Sequence, residues 1–152
     1  MMWGCTTYFG VGYACQIYES TMKSVDYINI LDESLKDTID HYNMNIVYVV
    51  FQHDNDPKHT SKAIKIYLDS LKLEVLPWPA QSPDLNSIEH LWHYLKVKIG
   101  SHESRPTSIN TLWKYIDEEW NKISSETFQK LIKTMSQRIQ AVINAKDGHT
   151  KY

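Results

Sequence analysis

The stretch that most constrains what this chain can fold into is NIVYVVF, residues 45 to 51. After its asparagine it is a continuous run of β-branched and aromatic side chains with no polar alternation. That pattern predicts a strand buried on both faces, and so the centre of a sheet. The run passes directly into FQHDNDPKHTS, residues 51 to 61, where acidic side chains precede a turn marked by Pro57. Strand ends of this kind are where parallel sheets present functional groups, and Asp54 is the first candidate.

The remaining segments arrange themselves around that strand. MMWGCTTYFG and GYACQIYES read as two strands, with Gly10 and Gly12 permitting the turn between them. The opening is strand-like from Trp3 with no cap before it, so we expect a preceding strand to be missing and a sheet edge beside the hairpin to be left exposed. Ile28, Leu31, Leu35, Ile39 and Tyr42 recur at helical spacing between Ser24 and Tyr42. Thr60 is the expected cap of a helix whose inner stripe is Ile64, Tyr67, Leu68 and Leu71. LEVLPW is a short strand that Pro77 and Pro79 confine to an edge. After the loop PAQSPDLN, a helix starts at Ser87, runs along Ile88, Leu91, Trp92, Leu95 and Ile99, and stops at Gly100. Residues 109 to 145 are helical in pattern, divided near Ser124 and Ser125, and KDGHTKY is a polar tail. Strands alternating with helices and closed by a helical end give an α/β fold in one domain, residues 1 to 152.

Composition narrows the function classes. With 152 residues, 42% hydrophobic and 22% charged, the chain can bury a core of its own. No apolar run approaches the roughly 20 residues of a spanning helix, and the start has no signal-peptide pattern. The expectation is a nuclear or cytoplasmic protein, neither secreted nor membrane-bound. Cys5 and Cys15 lack metal or redox spacing and read as reduced, structural thiols. The formal charge is −2, but residues 1 to 50 carry two lysines against six acids, and the remainder fourteen basic against twelve acidic residues. Phosphate contacts therefore belong to the later part.

Glu89 follows Asp54 after 34 intervening residues, at the start of a helix and about one residue off its apolar stripe. Each acid also fits a reading without chemistry. Asp54-Asn55-Asp56 can form an Asx-turn, and Asn86 with Glu89 resembles a capping box. Together, hard oxygens from a strand end and a helix are what Mg²⁺ or Mn²⁺ needs when it must also hold phosphate, which points to phosphodiester chemistry. His53, His59, His90 and His93 surround the two acids, but EHLWH lacks the HExxH spacing of zinc proteases. Lys58, Lys62, Lys65, Lys96 and Lys98 follow the acids, as a solvated face or as phosphate contacts. Trp92, Trp113 and Trp120 lie on apolar stripes and read as core.

QHDNDPKHTS, VLPWPAQSPDLNSIEHLW, MMWGCTTYFGVG and VINAKDGHTKY together resemble the Tc-type branch of the mariner transposase superfamily, over nearly the whole chain. The resemblance implies an RNase H-like catalytic domain, a mixed sheet flanked by helices, with a DDE triad that binds Mg²⁺ or Mn²⁺ and cuts and rejoins DNA at transposon ends. Asp54 corresponds to the second acid and Glu89 to the third, with Lys58, His59, Lys62, Lys96 and Lys98 as candidate DNA contacts. The first acid and its strand, and the N-terminal DNA-binding part, have no counterpart, and Asp26, Asp32, Asp37 and Asp40 lie in a helical pattern. The expectation is thus a partial catalytic domain, metal-binding only weakly and inactive alone. The alternative is a non-catalytic DNA-binding or dimerisation module that pairs with itself or with a full-length transposase.

Overall fold

The computed structural model describes residues 1–18, 21–79 and 82–145, so the polar tail, residues 146 to 152, lies outside the described residues. The chain forms two compact units, Met1–Cys5 with Gly12–Gln81, and Thr6–Val11 with Ser82–Tyr152.

Strands β1 (Met2–Thr7) and β2 (Gly10–Gln16) form the expected hairpin. Met1 and Ile17 exchange both backbone hydrogen bonds, at 3.1 and 2.8 Å, which makes the pairing antiparallel. The turn lies at Tyr8 and Phe9, earlier than the glycines suggested. The Phe9 N–H donates to the Thr7 hydroxyl, which donates to the Gly10 carbonyl, and Gly10 takes the positive φ of 151° that closes the turn. Gly12 has a different reason to be glycine. A β-carbon there would lie 2.5 Å from the Cys5 sulfur and from both branches of Thr38, so it is a site of close approach between β2 and a helix.

That helix is α1 (Ser24–Ile30) continued through a π-helical segment, Leu31–Leu35, into α2 (Lys36–His41). At about 100° per residue an unbroken α-helix would place Tyr27 and Ile39 roughly 120° apart. The wider π turn reduces that angle, and Tyr27, Leu31, Leu35, Thr38 and Ile39 are all buried. Asn43, at φ 49°, reverses the chain at the end.

The expected central strand is much shorter than NIVYVVF. Asn45 caps a 3₁₀ turn, Ile46–Tyr48, by accepting from the Val47 N–H at 3.1 Å, and only Val50–Phe51 forms β3. It pairs in parallel with β4 (Glu74–Val75), Val50 opposite Glu74 and Phe51 opposite Val75. Phe51 is buried, whereas Val47, Tyr48 and Val50 are exposed. Burial on both faces is therefore not observed. Among the described residues β3 has a ladder partner on one side only, and the Asn45 cap diverts the start of the run from extended structure.

Between these strands lies α3 (Lys62–Ser70), capped by Ser61 rather than Thr60. Ile64 and Leu68 join Tyr27, Leu31, Leu35 and Phe51 in one apolar cluster. Lys72, at φ 55°, turns the chain into β4.

The second unit is mostly helical: a 3₁₀ turn, Pro83–Leu85, then α4 (Ser87–Gly100), α5 (Ile109–Asn121), α6 (Ser125–Lys133) and α7 (Met135–Ala145). Asn86, Ser108 and Ser124 each cap the following helix through a side-chain oxygen. The division near Ser124 and Ser125 is as expected; a second, at Thr134, is not marked by glycine or proline. Trp120 is buried and stacks on Trp92 at 5.5 Å, in keeping with the core reading. Arg138, 1% exposed, donates to the Thr134 hydroxyl at 3.0 Å and to the Asp84 carbonyl at 3.5 Å. It braces α7 against the turn that precedes α4.

Candidate metal centre

Asp54 lies in the first unit, three residues past β3, with its side chain 55% exposed. One carboxylate oxygen, Oδ1, accepts from the Asp56 N–H at 3.0 Å and from His59 Nδ1 at 2.6 Å. The Asx-turn is therefore present, but it occupies only that oxygen; no protein donor contacts Oδ2 among the described residues. Desolvation raises the acid's pKa, yet the Asp56 N–H and the His59 ring more than offset it and hold the value below the ordinary carboxylate range. The carboxylate is ionised and oriented before any ligand arrives.

The surrounding loop is built by its own polar groups. The Asp56 carboxylate accepts from the Lys58 N–H at 2.8 Å, and its carbonyl accepts from the His59 N–H at 2.8 Å. Asn55 donates to the Trp78 carbonyl at 2.6 Å, tying the loop to the segment after β4. Beside it opens a cleft of about 310 Å³, lined in part by His53, His59, Lys65, Asp69 and Trp78.

Sequence reasoning missed the role of Tyr27, which is on α1 and 1% exposed. Its ring stacks on His59 at 4.2 Å, and its hydroxyl lies 3.3 Å from His53 Nδ1. His53 and His59 are themselves stacked at 5.7 Å. Burial, and then the neighbouring His59, pushes the His53 pKa down. The only advance signal was that Tyr27 is a large aromatic just before the Ile28 stripe; its meeting with a residue 32 positions later is a tertiary fact.

Glu89 lies in the second unit, in the first turn of α4, and is exposed. The capping-box reading does not hold for its carboxylate. Asn86 accepts from the Ile88 N–H at 3.4 Å, and no hydrogen bond or ion pair engages the Glu89 side chain among the described residues. His90 is partly buried, its pKa lowered by desolvation and then by Arg138. Lys62, Lys65, Lys96 and Lys98 are exposed and Lys58 half-buried; the Lys98 ammonium lies 5.5 Å over the Tyr94 ring.

An ionised, pre-oriented carboxylate and an unengaged one are hard oxygen donors of the kind Mg²⁺ and Mn²⁺ take. Among the described residues, no group of three or more His, Cys, Asp or Glu stands together as a metal cluster. Asp26, Asp32, Asp37 and Asp40 are on the α1–π–α2 helix, and Asp32 accepts from Lys36 and from the Tyr67 hydroxyl.

The family model described as DDE superfamily endonuclease matches residues 10–113, a span that holds both Asp54 and Glu89. Over 153 aligned residues the chain is 36% identical to the Tc1 transposase of Caenorhabditis elegans, covering all of this chain and 54% of that protein. The chain belongs to the Tc/mariner branch of the DDE endonuclease superfamily. This DDE endonuclease relative is also 31% identical to the Tc3 transposase of Caenorhabditis elegans, over all of this chain and 45% of that one, so it spans about half the length of the curated relatives it matches. Among solved structures it resembles the catalytic domain of the Mos1 transposase with Raltegravir and Mn, with a TM-score of 0.85 and 25% identity over 99% of this chain and 76% of that one. The Mos1 mariner paired-end complex with Mn gives 0.86 and 25%, over 99% and 44%. The DDE chain shares the mixed α/β, RNase H-like fold of the Mos1 catalytic domain. Among its described residues, no helix is long and apolar enough to cross a membrane.

Proposed function

We propose that this chain supplies two of the carboxylates, Asp54 and Glu89, with which a Tc/mariner transposase holds Mg²⁺ or Mn²⁺ while cutting and joining DNA at transposon ends. The observation that carries the reading is the state of Asp54: Oδ1 is tied by two donors while Oδ2 stays open at the end of a strand. The Mn-containing Mos1 structures support the choice of ion. When bound, such ions activate an attacking oxygen and stabilise a leaving one. Asp54 and Glu89 hold the charge in place, and Lys58, Lys62, Lys96 and Lys98 meet the phosphate backbone. The His59 ring, 16% exposed, is directed to Asp54 more than to solvent. The 152 residues act as one partial catalytic domain in the nucleus.

These residues alone bind metal weakly and cut DNA little, because Asp26, Asp32, Asp37 and Asp40, the aspartates upstream of Asp54, lie on a helix rather than on a strand. The test is Mn²⁺ affinity, read as the free-ion signal in electron paramagnetic resonance. Asp54→Ala and Glu89→Ala should each abolish specific retention, and unchanged affinity in both would refute the site. Robust nicking of transposon-end DNA by the purified chain would refute its incompleteness.

A second reading, a module that pairs with itself or with a full-length relative, is favoured by the exposed Val50 on β3 and the exposed Val47 and Tyr48 in the 3₁₀ turn before it. Co-purification with such a relative, unaffected by Glu89→Ala, would distinguish it.

A further inference from the structure

The geometry points to His59 as the positioning residue of the Asp54 carboxylate, held in place by the buried ring of Tyr27. The inference rests on the reading of Asp54 as a metal ligand and adds what fixes that ligand's direction.

A carboxylate has no proton to give, so the 2.6 Å contact between Asp54 Oδ1 and His59 Nδ1 requires the hydrogen to be on Nδ1. The ring that carries this donor cannot swing freely. It stacks on Tyr27 of α1 at 4.2 Å and lies near-parallel to His53, at 5.7 Å and 17°, in its own loop. Tyr27 is fixed in turn: it is 1% exposed, and its hydroxyl lies 3.3 Å from His53 Nδ1.

The consequence falls on the carboxylate. With the Asp56 N–H and the His59 ring both on Oδ1, rotation about the carboxyl bond costs two hydrogen bonds, and Oδ2 is kept outward as the oxygen available to a cation. Partners of this kind orient a metal ligand without touching the metal, and their loss typically weakens binding about 10-fold to 100-fold. Lys58, whose backbone N–H is held by Asp56, and the Asp56 carboxylate are the other charged groups of the loop. Among the described residues His59 is the side chain that donates to Asp54.

The experiment compares Mn²⁺ affinity of the full chain with three variants by paramagnetic resonance, alongside thermal unfolding of each. His59→Phe keeps a ring to lie on Tyr27 but has no donor; His59→Asn places an amide N–H near the position of Nδ1 with no ring. We expect His59→Phe to keep its melting temperature within a few degrees and to lose affinity about 10-fold, and His59→Asn to recover most of it. Asp54→Ala should lose specific binding entirely. If Asp54→Ala loses binding while His59→Phe retains wild-type affinity, or if His59→Asn binds no better than His59→Phe, the positioning role is wrong and the metal site stands. If Asp54→Ala binds as wild type, the site itself is wrong and the positioning role falls with it.

Discussion

Thr38 uses its hydroxyl three ways. It accepts from the Tyr13 N–H at 2.9 Å, donates to the Ser34 carbonyl at 2.7 Å, and lies 3.3 Å from the Cys5 sulfur. Gly12 lets β2 come close enough for this, and burial pushes the Cys5 thiol up to about 11, so it stays protonated there. Gly12→Ala should therefore lower stability by about 1–3 kcal/mol, as overpacking does, read as a lower urea midpoint. Gly100→Ala is the control, since nothing lies within 4 Å of its added carbon; it should be neutral or slightly stabilising. In sequence Gly12 was assigned to the hairpin turn and Gly100 to the end of a helix. A glycine needed for space leaves no local mark, because the side chain it avoids, Thr38, comes 26 residues later.

Among the elements, α5 ends on a buried carboxylate. Glu119, 7% exposed, accepts from Lys122 at 2.7 Å and lies 3.3 Å from His102 Nε2. The Lys122 hydrogen bond, countered in part by desolvation, lowers the Glu119 pKa from 4.5 and raises that of Lys122 from 10.5. A depressed carboxylate stabilises the fold above its unfolded value and loses that contribution as pH falls through its native one. The lysine's share is complete below its unfolded value and is lost as pH rises through its native one. The melting temperature should thus hold across the neutral range and drop below pH 4.5, and Glu119→Gln should flatten that acid limb. An identical acid limb in the variant would show that the pair does not couple to folding. Helices were the most legible elements, because the stripes at Ile64 to Leu71 and Ile88 to Ile99 repeat every three or four residues. The π segment was not, since Leu31 and Leu35 fit an ordinary helix equally well and the extra turn width shows only in where Tyr27 and Ile39 both end up. The strand ends suffered differently. A run such as IVYVVF states that it can be buried, while pairing partners decide how much of it is extended.

For the whole molecule, the short β3 is the feature that reaches beyond the chain. Val50 on β3 is 52% exposed, and Val47 and Tyr48 in the turn before it are 63% and 84% exposed; an apolar strand unpaired on one side among the described residues is a template for another chain. Val50→Lys should reduce concentration-dependent association, measured by light scattering, with little change in the melting temperature; equal association would place the contact elsewhere. Membership in the Tc/mariner branch was legible because DNDPKHTS and SPDLNSIEHLW are specific in order and spacing. Around Asp54 the acids and the flanking His53 and His59 were legible in one stretch of sequence. Tyr27 was not, because only the fold brings its ring 4.2 Å from that of His59.

Arg138 gives the structure a genetic signature. It sits on α7, 49 residues from Glu89, yet its guanidinium reaches the Asp84 carbonyl in the turn that launches the Glu89 helix. On the proposed reading of Glu89, a screen of random variants for lost Mn²⁺ retention would recover changes at Arg138 beside those at the acids. They would behave as misplaced ligands, and second-site changes that restore retention would be expected to cluster between Pro83 and Asn86.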